Sequence, residues 1–262
     1  MTFVLPSFGS SAISAVSAGG GGGVAYSVDF DGTDDYMQIG SNNMMIMDSS
    51  TGAFTWSFWL KTGTNISGVF ENFLGKDNLG GASGGRSLLF DRTSGNDIRL
   101  IVFPEPSGSA TVATWSGGSS SSNLGDNNWH NLVFVNEGTG GSLKIYFDGN
   151  NQTLSGTTTG LLPRNPSNQP LVLGAIFELS GSGANNGIYR PYDGLMDEVA
   201  AWDSALSASN ITAIYNSGVA NDISSLNPVG WWRMGDNDGG TGSTITDATG
   251  NGRNATLHNS PT

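Results

Sequence analysis

Short segments of alternating apolar and polar residues, separated by polar turns, dominate this sequence. Segments such as AFTWSFWLKTG, DIRLIVF and GSLKIYFDGN are bounded by Gly, Asn, Asp or Pro, and the 262 residues include 40 glycines. A period of two places alternate side chains on one face of a β-strand, and Gly, Asn and Asp favour the turns between strands. The spacing predicts an all-β fold in which two antiparallel sheets form a sandwich.

The segment AFTWSFWLKTG shows the pattern clearly. Phe54, Trp56 and Phe58 fall on one face of the predicted strand, whereas Trp59 falls on the other. Both faces of this strand are therefore expected to matter for packing.

Residues 208–216 carry the one strong helix signal. Ser207 is a favourable N-cap, and Gly218 follows the expected end of the helix. An apolar face at positions i, i+3 and i+4 is formed by Ile211, Ile214 and Tyr215. We predict a short helix that lies over one edge or end of the sandwich.

Composition argues against several classes of partner. The formal net charge is −12 with only ten Lys and Arg, and phosphate contacts need cationic side chains, so we expect no binding to nucleic acid. No apolar run approaches the ~20 residues needed to cross a bilayer, and we expect no membrane insertion. The absence of Cys excludes disulfides and thiolate metal sites. An acidic surface instead suits Ca²⁺, a hard cation that prefers oxygen ligands.

Residues 1–23 end in five consecutive glycines, whose backbone entropy opposes independent order. The segment lacks the positive region of a signal peptide, and Pro6 interrupts its apolar patch. We expect a flexible, Gly- and Ser-rich N-terminal arm. Its tip carries apolar residues that are suited either to docking on a partner or to packing on the chain's own domain: Phe3, Val4, Leu5 and Phe8.

Four segments in order resemble one known family. They are VDFDGTDDYMQIG, FTWSFWLKTG, NWHNLVFVNEGTGGSLKIYFDGN and DGLMDEVAAWDSALSASNITAIYNSG, and they cover most of residues 26–218. Their order is similar to that of the laminin-G-like branch of the concanavalin A-like lectin and glucanase superfamily. The resemblance implies a two-sheet antiparallel jelly-roll sandwich, concanavalin A-like, to which the sequence pattern adds one short helix and the flexible arm.

The end of the chain resembles a segment that commonly precedes the FDGTDDY strand in this family. Residues 228–262 contain it, with the motif WWRMGD. We expect one sandwich over residues 24–262, completed by residues 228–262, because about thirty residues cannot bury a core alone. A truncated second repeat is the alternative.

The combination of a Gly- and Ser-rich arm, a laminin-G-like body and the WWRMGD tail resembles virion proteins of marine bacteriophages. It implies a non-enzymatic structural or adhesive module on the virion surface, as a capsid decoration or a tail or fibre component. Other virion proteins would be bound through the arm, the chain would form a homo-oligomer, and host glycans would be a further partner. The alternatives are a secreted bacterial carbohydrate-binding lectin and, less favoured, a glucanase-like glycoside hydrolase.

Two adjacent carboxylates raise the question of catalysis. Asp197 and Glu198 lie in a predicted strand, where neighbours point to opposite faces and cannot flank one glycosidic bond. The alternate-position carboxylate motif of the superfamily's retaining glucanases is absent from the sequence. His130 is expected to fix a loop by hydrogen bonding. We therefore predict no catalytic residues and no enzymatic activity.

A calcium site is the better chemical hypothesis. Members of the superfamily often bind Ca²⁺ at a rim of the sandwich, and the acidic turn DFDGTDD presents Asp31, Asp34 and Asp35. Asp197 is the candidate ligand from across the sheet. Asp-Gly turns also form for conformational reasons alone, which is the alternative explanation.

Glycan binding in this fold would use exposed aromatic side chains in loops. Three aromatic residues fall in segments that we predict to be loops: Trp115, Tyr189 and Tyr192. They are the candidate glycan-binding residues.

Overall fold

A computed structural model of the chain describes residues 13–14, 26–40, 51–62, 69–76, 87–104, 109–116, 124–163, 170–179 and 185–259. Within these residues the chain forms nineteen β-strands and one α-helix. In chain order they are β1 (Ile13–Ser14), β2 (Ser27–Asp31), β3 (Tyr36–Ile39), β4 (Phe54–Lys61), β5 (Glu71–Lys76), β6 (Leu88–Arg92), β7 (Ile98–Val102), β8 (Thr111–Trp115), β9 (His130–Asn136), β10 (Leu143–Phe147), β11 (Asn150–Asn151), β12 (Ser155–Gly156), β13 (Leu171–Leu173), β14 (Ile176–Leu179), β15 (Asn185–Tyr189), β16 (Asp193–Trp202), α1 (Ala208–Tyr215), β17 (Gly230–Trp232), β18 (Thr244–Ile245) and β19 (Ala255–His258).

The strands form two large antiparallel sheets and one small hairpin. The first sheet has the order β1, β2, β16, β4, β9, β10, β11, and β17 also pairs with β16. The second has the order β12, β8, β7, β6, β5, β13, β3, β19, β18, while β14 and β15 pair only with each other. One apolar cluster joins residues of both large sheets. The predicted two-sheet antiparallel sandwich with one short helix is confirmed.

The two faces of β4 pack as its alternation predicts. Phe54, Trp56 and Phe58 are fully buried in the core between the sheets. Trp59 faces the other way and stacks on Tyr215 of α1, with ring centroids 6.2 Å apart. Both faces of this central strand are therefore covered.

The predicted helix begins where expected but lies on the outer face of the first sheet rather than at an edge. The hydroxyl of Ser207 accepts a hydrogen bond from the backbone N–H of Asn210, as an N-cap does. Ile211 packs against side chains of β9 and β10, and Ile214 packs against β16. The C-cap is Asn216 in the left-handed region (φ 44°), a conformation that Asn tolerates, and not Gly218. Among the described residues, no helix is long and apolar enough to cross a membrane.

Residues from the C-terminal segment contribute strands to both sheets. β17 pairs with β16 of the first sheet, and β19 pairs with β3 of the second. Trp232 is fully buried and stacks on Trp56, with ring centroids 5.9 Å apart. The described part of residues 228–262 therefore shares the core of the preceding residues.

Two residues of the expected N-terminal arm form an edge strand. Ile13 and Ser14 pair with Val28 and Ser27 of β2. The candidate docking residues lie outside the described residues: Phe3, Val4, Leu5 and Phe8.

Candidate functional site

The turn between β2 and β3 brings three carboxylates together. Ligand oxygens of Asp31, Asp34 and Asp35 all lie within 4.8 Å of one another. Asp31 and Asp34 are exposed, whereas Asp35 is buried. The backbone N–H of Asp31 donates to Asp35 Oδ2 over 3.1 Å, and the N–H of Thr33 donates to Asp31 Oδ1 over 2.8 Å. The side chains thus stabilise the turn that holds them together.

One oxygen of this group is not used by the turn. Asp35 Oδ1 is buried and has no hydrogen-bond partner among the described residues. A buried carboxylate oxygen without a donor is costly, and a bound cation is one way to satisfy it. The donor set, carboxylate oxygens on a tight turn, fits a hard cation.

The charged groups around the turn are carboxylates, so their charges repel one another. Burial raises the pKa of Asp35 to about 6, and the nearby charges of Asp31 and Asp34 act in the same direction. Asp29 and Asp193 add further negative charge, since the pKa of Asp29 is raised by burial and by the charge of Asp193. In the described parts of the chain, no Lys or Arg forms an ion pair with these five carboxylates.

Asp197 does not belong to this group of carboxylates. The prediction that Asp197 is a calcium ligand beside the acidic turn is therefore wrong. The register between β2 and β16 places Asp193 opposite Asp31, whereas Asp197 lies opposite Trp59 of β4. A side chain at Gly32 (φ 71°) would collide with Asp193, since a Cβ there would lie 2.9 Å from Asp193 Cβ. The turn and the start of β16 therefore approach closely, and Asp193 is the carboxylate from the neighbouring strand.

Of the three candidate glycan-binding aromatics, only Tyr189 is exposed, with 42% of its surface accessible. Trp115 is 7% exposed because its segment continues β8, where its ring packs 5.0 Å from that of Phe147. Tyr192 is fully buried, with its ring edge-on to Phe30 at a centroid distance of 6.0 Å. Tyr192 lies in a loop, as predicted, but neither Trp115 nor Tyr192 is at the surface, so the prediction that these two rings are exposed is wrong.

Tyr189 is part of an exposed aromatic surface. The guanidinium of Arg190 lies 5.5 Å from the Tyr189 ring centroid and 4.5 Å from that of Phe70. Arg190 Nη1 is held by a 3.0 Å ion pair with Asp91. Val69, next to Phe70, is 54% exposed. Gly32 N–H donates to the carbonyl of Tyr192, and Tyr189 lies three residues before Tyr192, a span of at most about 11 Å, so this surface lies near the acidic turn.

A β-bulge interrupts β16 at the two adjacent carboxylates. Asp197 pairs with Trp59 and Ala200 with Ser57, so β16 has one extra residue, and Glu198 adopts φ 45°. The backbone N–H of Glu198 donates to Asp197 Oδ1 over 2.7 Å. The bulge breaks the alternation from which the separation of the two carboxylates was predicted, since Met196 and Val199 both face the core and Asp197 and Glu198 lie between them.

Glu198 forms the floor of a pocket on the outer side of the first sheet. Its carboxylate accepts hydrogen bonds from the indole Nε1 of Trp231 and from Arg233 Nε, the latter over 3.0 Å. The pocket has a volume of about 420 Å³. Its polar and aromatic lining comprises Glu198, Asn221, Asp222, Ser224, Trp231, Arg233 and Asn237.

The sequence pattern alone did not reveal this pocket. Trp231 and Arg233 alternate along and beyond β17, which was the available signal that they share a face. The strand that pairs with β17 could not be predicted from the local pattern, because β17 pairs with residues of β16 that lie about thirty positions earlier in the chain.

Burial raises the pKa of both adjacent carboxylates, Asp197 and Glu198. It raises the pKa of Glu198, and the guanidinium of Arg233 opposes this shift without cancelling it. The pKa of Asp197 is raised well above its usual range by burial and by the charge of Glu198.

His130 has the structural role expected of it. Nδ1 lies 2.8 Å from Asp148 and Nε2 lies 3.0 Å from Asp126, so the ring joins two loops. Burial disfavours the imidazolium, but the hydrogen bonds to Asp148 and Asp126 outweigh it and raise the pKa of His130.

A family model described as the concanavalin A-like lectin/glucanases superfamily matches residues 31–212, which is more than half of the chain. A search of curated protein sequences found no match.

Solved structures share the fold at low sequence identity. A candidate carbohydrate-binding protein from Bacteroides ovatus matches with a TM-score of 0.58 and 19% identity over 89% of this chain and 58% of that protein. The binding domain of botulinum neurotoxin serotype D/C matches with a TM-score of 0.52 and 12% identity, over 80% of this chain and 46% of that one. A SAP-like pentraxin from Limulus polyphemus matches with a TM-score of 0.50 and 12% identity, over 74% of this chain and 85% of the pentraxin. The chain thus spans less than two thirds of the first two proteins, and these identities establish the fold alone.

Proposed function

Since the chain belongs to the concanavalin A-like lectin/glucanase superfamily, we propose that it is a non-catalytic carbohydrate-binding protein whose ligand site is the rim of the sandwich. The rim consists of the acidic turn, Asp31 to Asp35, and the exposed surface around Tyr189. The observation that carries the proposal is the approach of three carboxylates to within 4.8 Å, one of them with a buried oxygen that has no donor among the described residues.

Calcium is the cofactor that we propose for this rim. Asp31, Asp34 and Asp35 would hold it, with Asp193 adding negative charge from the neighbouring strand. The ion would supply positive charge and further coordination positions for oxygen ligands, among them sugar hydroxyls. Tyr189 would contribute an aromatic face, on which the apolar side of a sugar ring packs.

Two observations support carbohydrate as the class of ligand: a solved structure with the same fold, and the net negative charge of this chain. The Bacteroides ovatus protein with the same fold is described as a candidate carbohydrate-binding protein. The net charge of −12 disfavours polyanionic ligands in general.

A glycan array with Ca²⁺ or with a chelator tests the proposal. We expect binding that requires Ca²⁺ and falls at least tenfold in Tyr189→Ala. The matched control is Tyr189→Phe, which keeps the ring and should bind like the wild type. Binding that ignores both Ca²⁺ and Tyr189→Ala would contradict the rim site, and release of reducing sugar would contradict the non-catalytic assignment.

The narrower form of the hypothesis is a virion surface protein, held by the N-terminal arm to other virion proteins and forming a homo-oligomer. It is supported by the resemblance of the arm, body and WWRMGD tail to phage proteins. A secreted lectin uses the same rim and is the alternative.

A truncation separates these two settings. Because Ile13 and Ser14 pair with β2, the variant should lack residues 1–10 and keep the edge strand. We expect it to fold and to bind glycan normally but to be absent from purified particles. Normal incorporation of the truncated chain would overturn the attachment role, and light scattering would report the oligomeric state.

A further inference from the structure

The pocket above the bulge of β16 is separate from the rim. Its floor residue, Glu198, lies five positions along the strand from Asp193, a distance of roughly 16 Å at ~3.3 Å per residue. Its volume of about 420 Å³ falls in the usual range for small-molecule sites, ~300–1,000 Å³.

The floor is held rigidly before any ligand arrives. Glu198 is buried and bonded to Trp231 and Arg233, and its backbone N–H is bonded to Asp197. The guanidinium of Arg233 also stacks on the Trp231 ring, 4.9 Å from its centroid. A site whose side chains are already ordered loses little conformational entropy on binding.

One wall offers an acceptor that the protein does not use. Asn221 Nδ2 donates to the carbonyl of Ala213 over 3.2 Å, which orients the amide. Asn221 Oδ1 is buried and has no hydrogen-bond partner among the described residues. Asp222 stands beside it, exposed, with Oδ1 accepting from the N–H of Ser224 over 2.9 Å. These acceptors match hydroxyl donors.

The charges of the pocket disfavour an anionic ligand. Arg233 already pairs with Glu198 and lies 3.5 Å from Asp236, and Asp222 adds a further carboxylate to the lining. No excess positive charge is left to attract an acidic sugar or a phosphate. A metal is also disfavoured, because within the described residues only the acidic turn brings three ligating side chains within 4.8 Å.

We propose that this pocket is a second, calcium-independent binding site for an uncharged polyhydroxylated ligand, such as a neutral mono- or disaccharide. Asn221 Oδ1 and Asp222 accept hydrogen bonds from its hydroxyls, and the Glu198–Arg233–Trp231 group forms the preorganised floor. The site does not depend on the calcium rim.

A small cavity supplies the competing explanation for the open acceptor. This cavity is lined by both Asn221 and Glu198. Its volume of about 10 Å³ is just enough for about one water molecule. If water is the permanent partner of Asn221 Oδ1, removal of that oxygen will leave ligand binding unchanged.

Titration calorimetry in a chelator, with galactose, mannose, N-acetylglucosamine and N-acetylneuraminic acid as probes, tests the proposal. Two variants lose the bond to Ala213 equally, but only Asn221→Leu loses the acceptor, whereas Asn221→Asp keeps it. We expect at least one neutral sugar to bind the wild type, to bind Asn221→Asp within about threefold, and to bind Asn221→Leu at least tenfold more weakly. Tyr189→Ala should leave this binding unchanged.

An NMR titration locates the ligand. The indole N–H signal of Trp231, which is hydrogen-bonded to Glu198, should shift when the neutral sugar binds. The proposal is overturned if no neutral sugar binds in the chelator, if Asn221→Leu binds like the wild type, or if the acidic sugar binds more tightly. Failure of the rim to bind glycan with Ca²⁺ would leave these results unaffected, so the two proposals fail separately.

Discussion

The rim and the pocket are both built around carboxylates of the first sheet, yet they treat negative charge in opposite ways. At the rim, Asp31, Asp34 and Asp35 crowd together without an ion-pair partner among the described residues. In the pocket, Glu198 is buried but forms an ion pair with Arg233 and accepts a hydrogen bond from the indole of Trp231. A cation would therefore stabilise the rim group, whereas the pocket carboxylate already has a cationic partner, Arg233.

The difference has a local structural cause. The rim carboxylates lie on a turn, where water stabilises the charges of the two exposed side chains. The pocket carboxylate lies in a bulge covered by the loop after α1, and burying an unpaired charge costs several kcal/mol. Removing Arg233 should therefore destabilise the fold much more than removing the partner of an exposed carboxylate.

The largest expected effect comes from removing the cation of the pocket. Arg233→Met leaves Glu198 buried and unpaired, and we expect a loss of about 3 kcal/mol in unfolding free energy at pH 7. Because burial raises the pKa of Glu198, the folded variant holds a proton more tightly than the unfolded chain. The deficit should therefore shrink as pH falls toward 5, and urea unfolding at both pH values measures it. An equal deficit at both would contradict this account.

Calcium should produce the converse effect at the rim. At a Ca²⁺ concentration 100-fold above Kd, the wild type should gain about 2.7 kcal/mol in stability. Asp35→Asn should lose this gain, without being less stable than the wild type in a chelator, because the substitution removes a crowded charge. Thermal unfolding with and without Ca²⁺ provides the measurement; a calcium-induced rise that persists in the variant would exclude Asp35 as a ligand.

The pH dependence of calcium binding sharpens the comparison. With the pKa of Asp35 at about 6, the ionised fraction and hence the Ca²⁺ affinity should fall about tenfold from pH 7 to pH 5. Since this pKa is raised above the usual value of 3.8, the stability of the calcium-free protein should decrease as pH rises from about 4 to 6. Calorimetry at several pH values tests the first statement, and a pH-independent Kd would refute it.

The ion pairs of His130 should have an effect between those of the buried and the exposed pairs. Its partners, Asp126 and Asp148, are carboxylates, and the imidazole itself gains its charge only when it is protonated. The raised pKa means that its contribution is complete below the ordinary value of 6.5 and is lost as pH rises through the folded value. We expect His130→Gln to cost about 1 kcal/mol at pH 6 and less at pH 8.5, as measured by urea unfolding. A cost that increases with pH would show that the imidazolium is not the stabilising form.

The smallest effect is expected for an exposed ion pair. Lys144→Met removes the partner of Glu137 at the surface and should change stability by less than about 1 kcal/mol. It is the matched control for Arg233→Met, since both exchange a cation for the same apolar side chain. Similar losses in the two variants would remove the distinction between paired charges that are buried and those that are exposed.

Local pattern was enough to predict several elements. The alternation of Phe54, Trp56 and Phe58 against Trp59 gave the two packed faces of β4, and Ser207 marked the start of α1. The acidic turn was also predictable, because its carboxylates are close in sequence and a tight turn keeps them close in space.

The features that only the tertiary structure decided depend on pairing between distant segments. Strand register placed Asp193 rather than Asp197 beside the acidic turn, and packing between the sheets buried Trp115 and Tyr192. The bulge at Glu198 became a pocket only because β17 and the loop after α1 pack over it. Periodicity along a chain specifies which side chains share a face, but cross-strand register and long-range packing specify what each face meets, and these are properties of the whole fold.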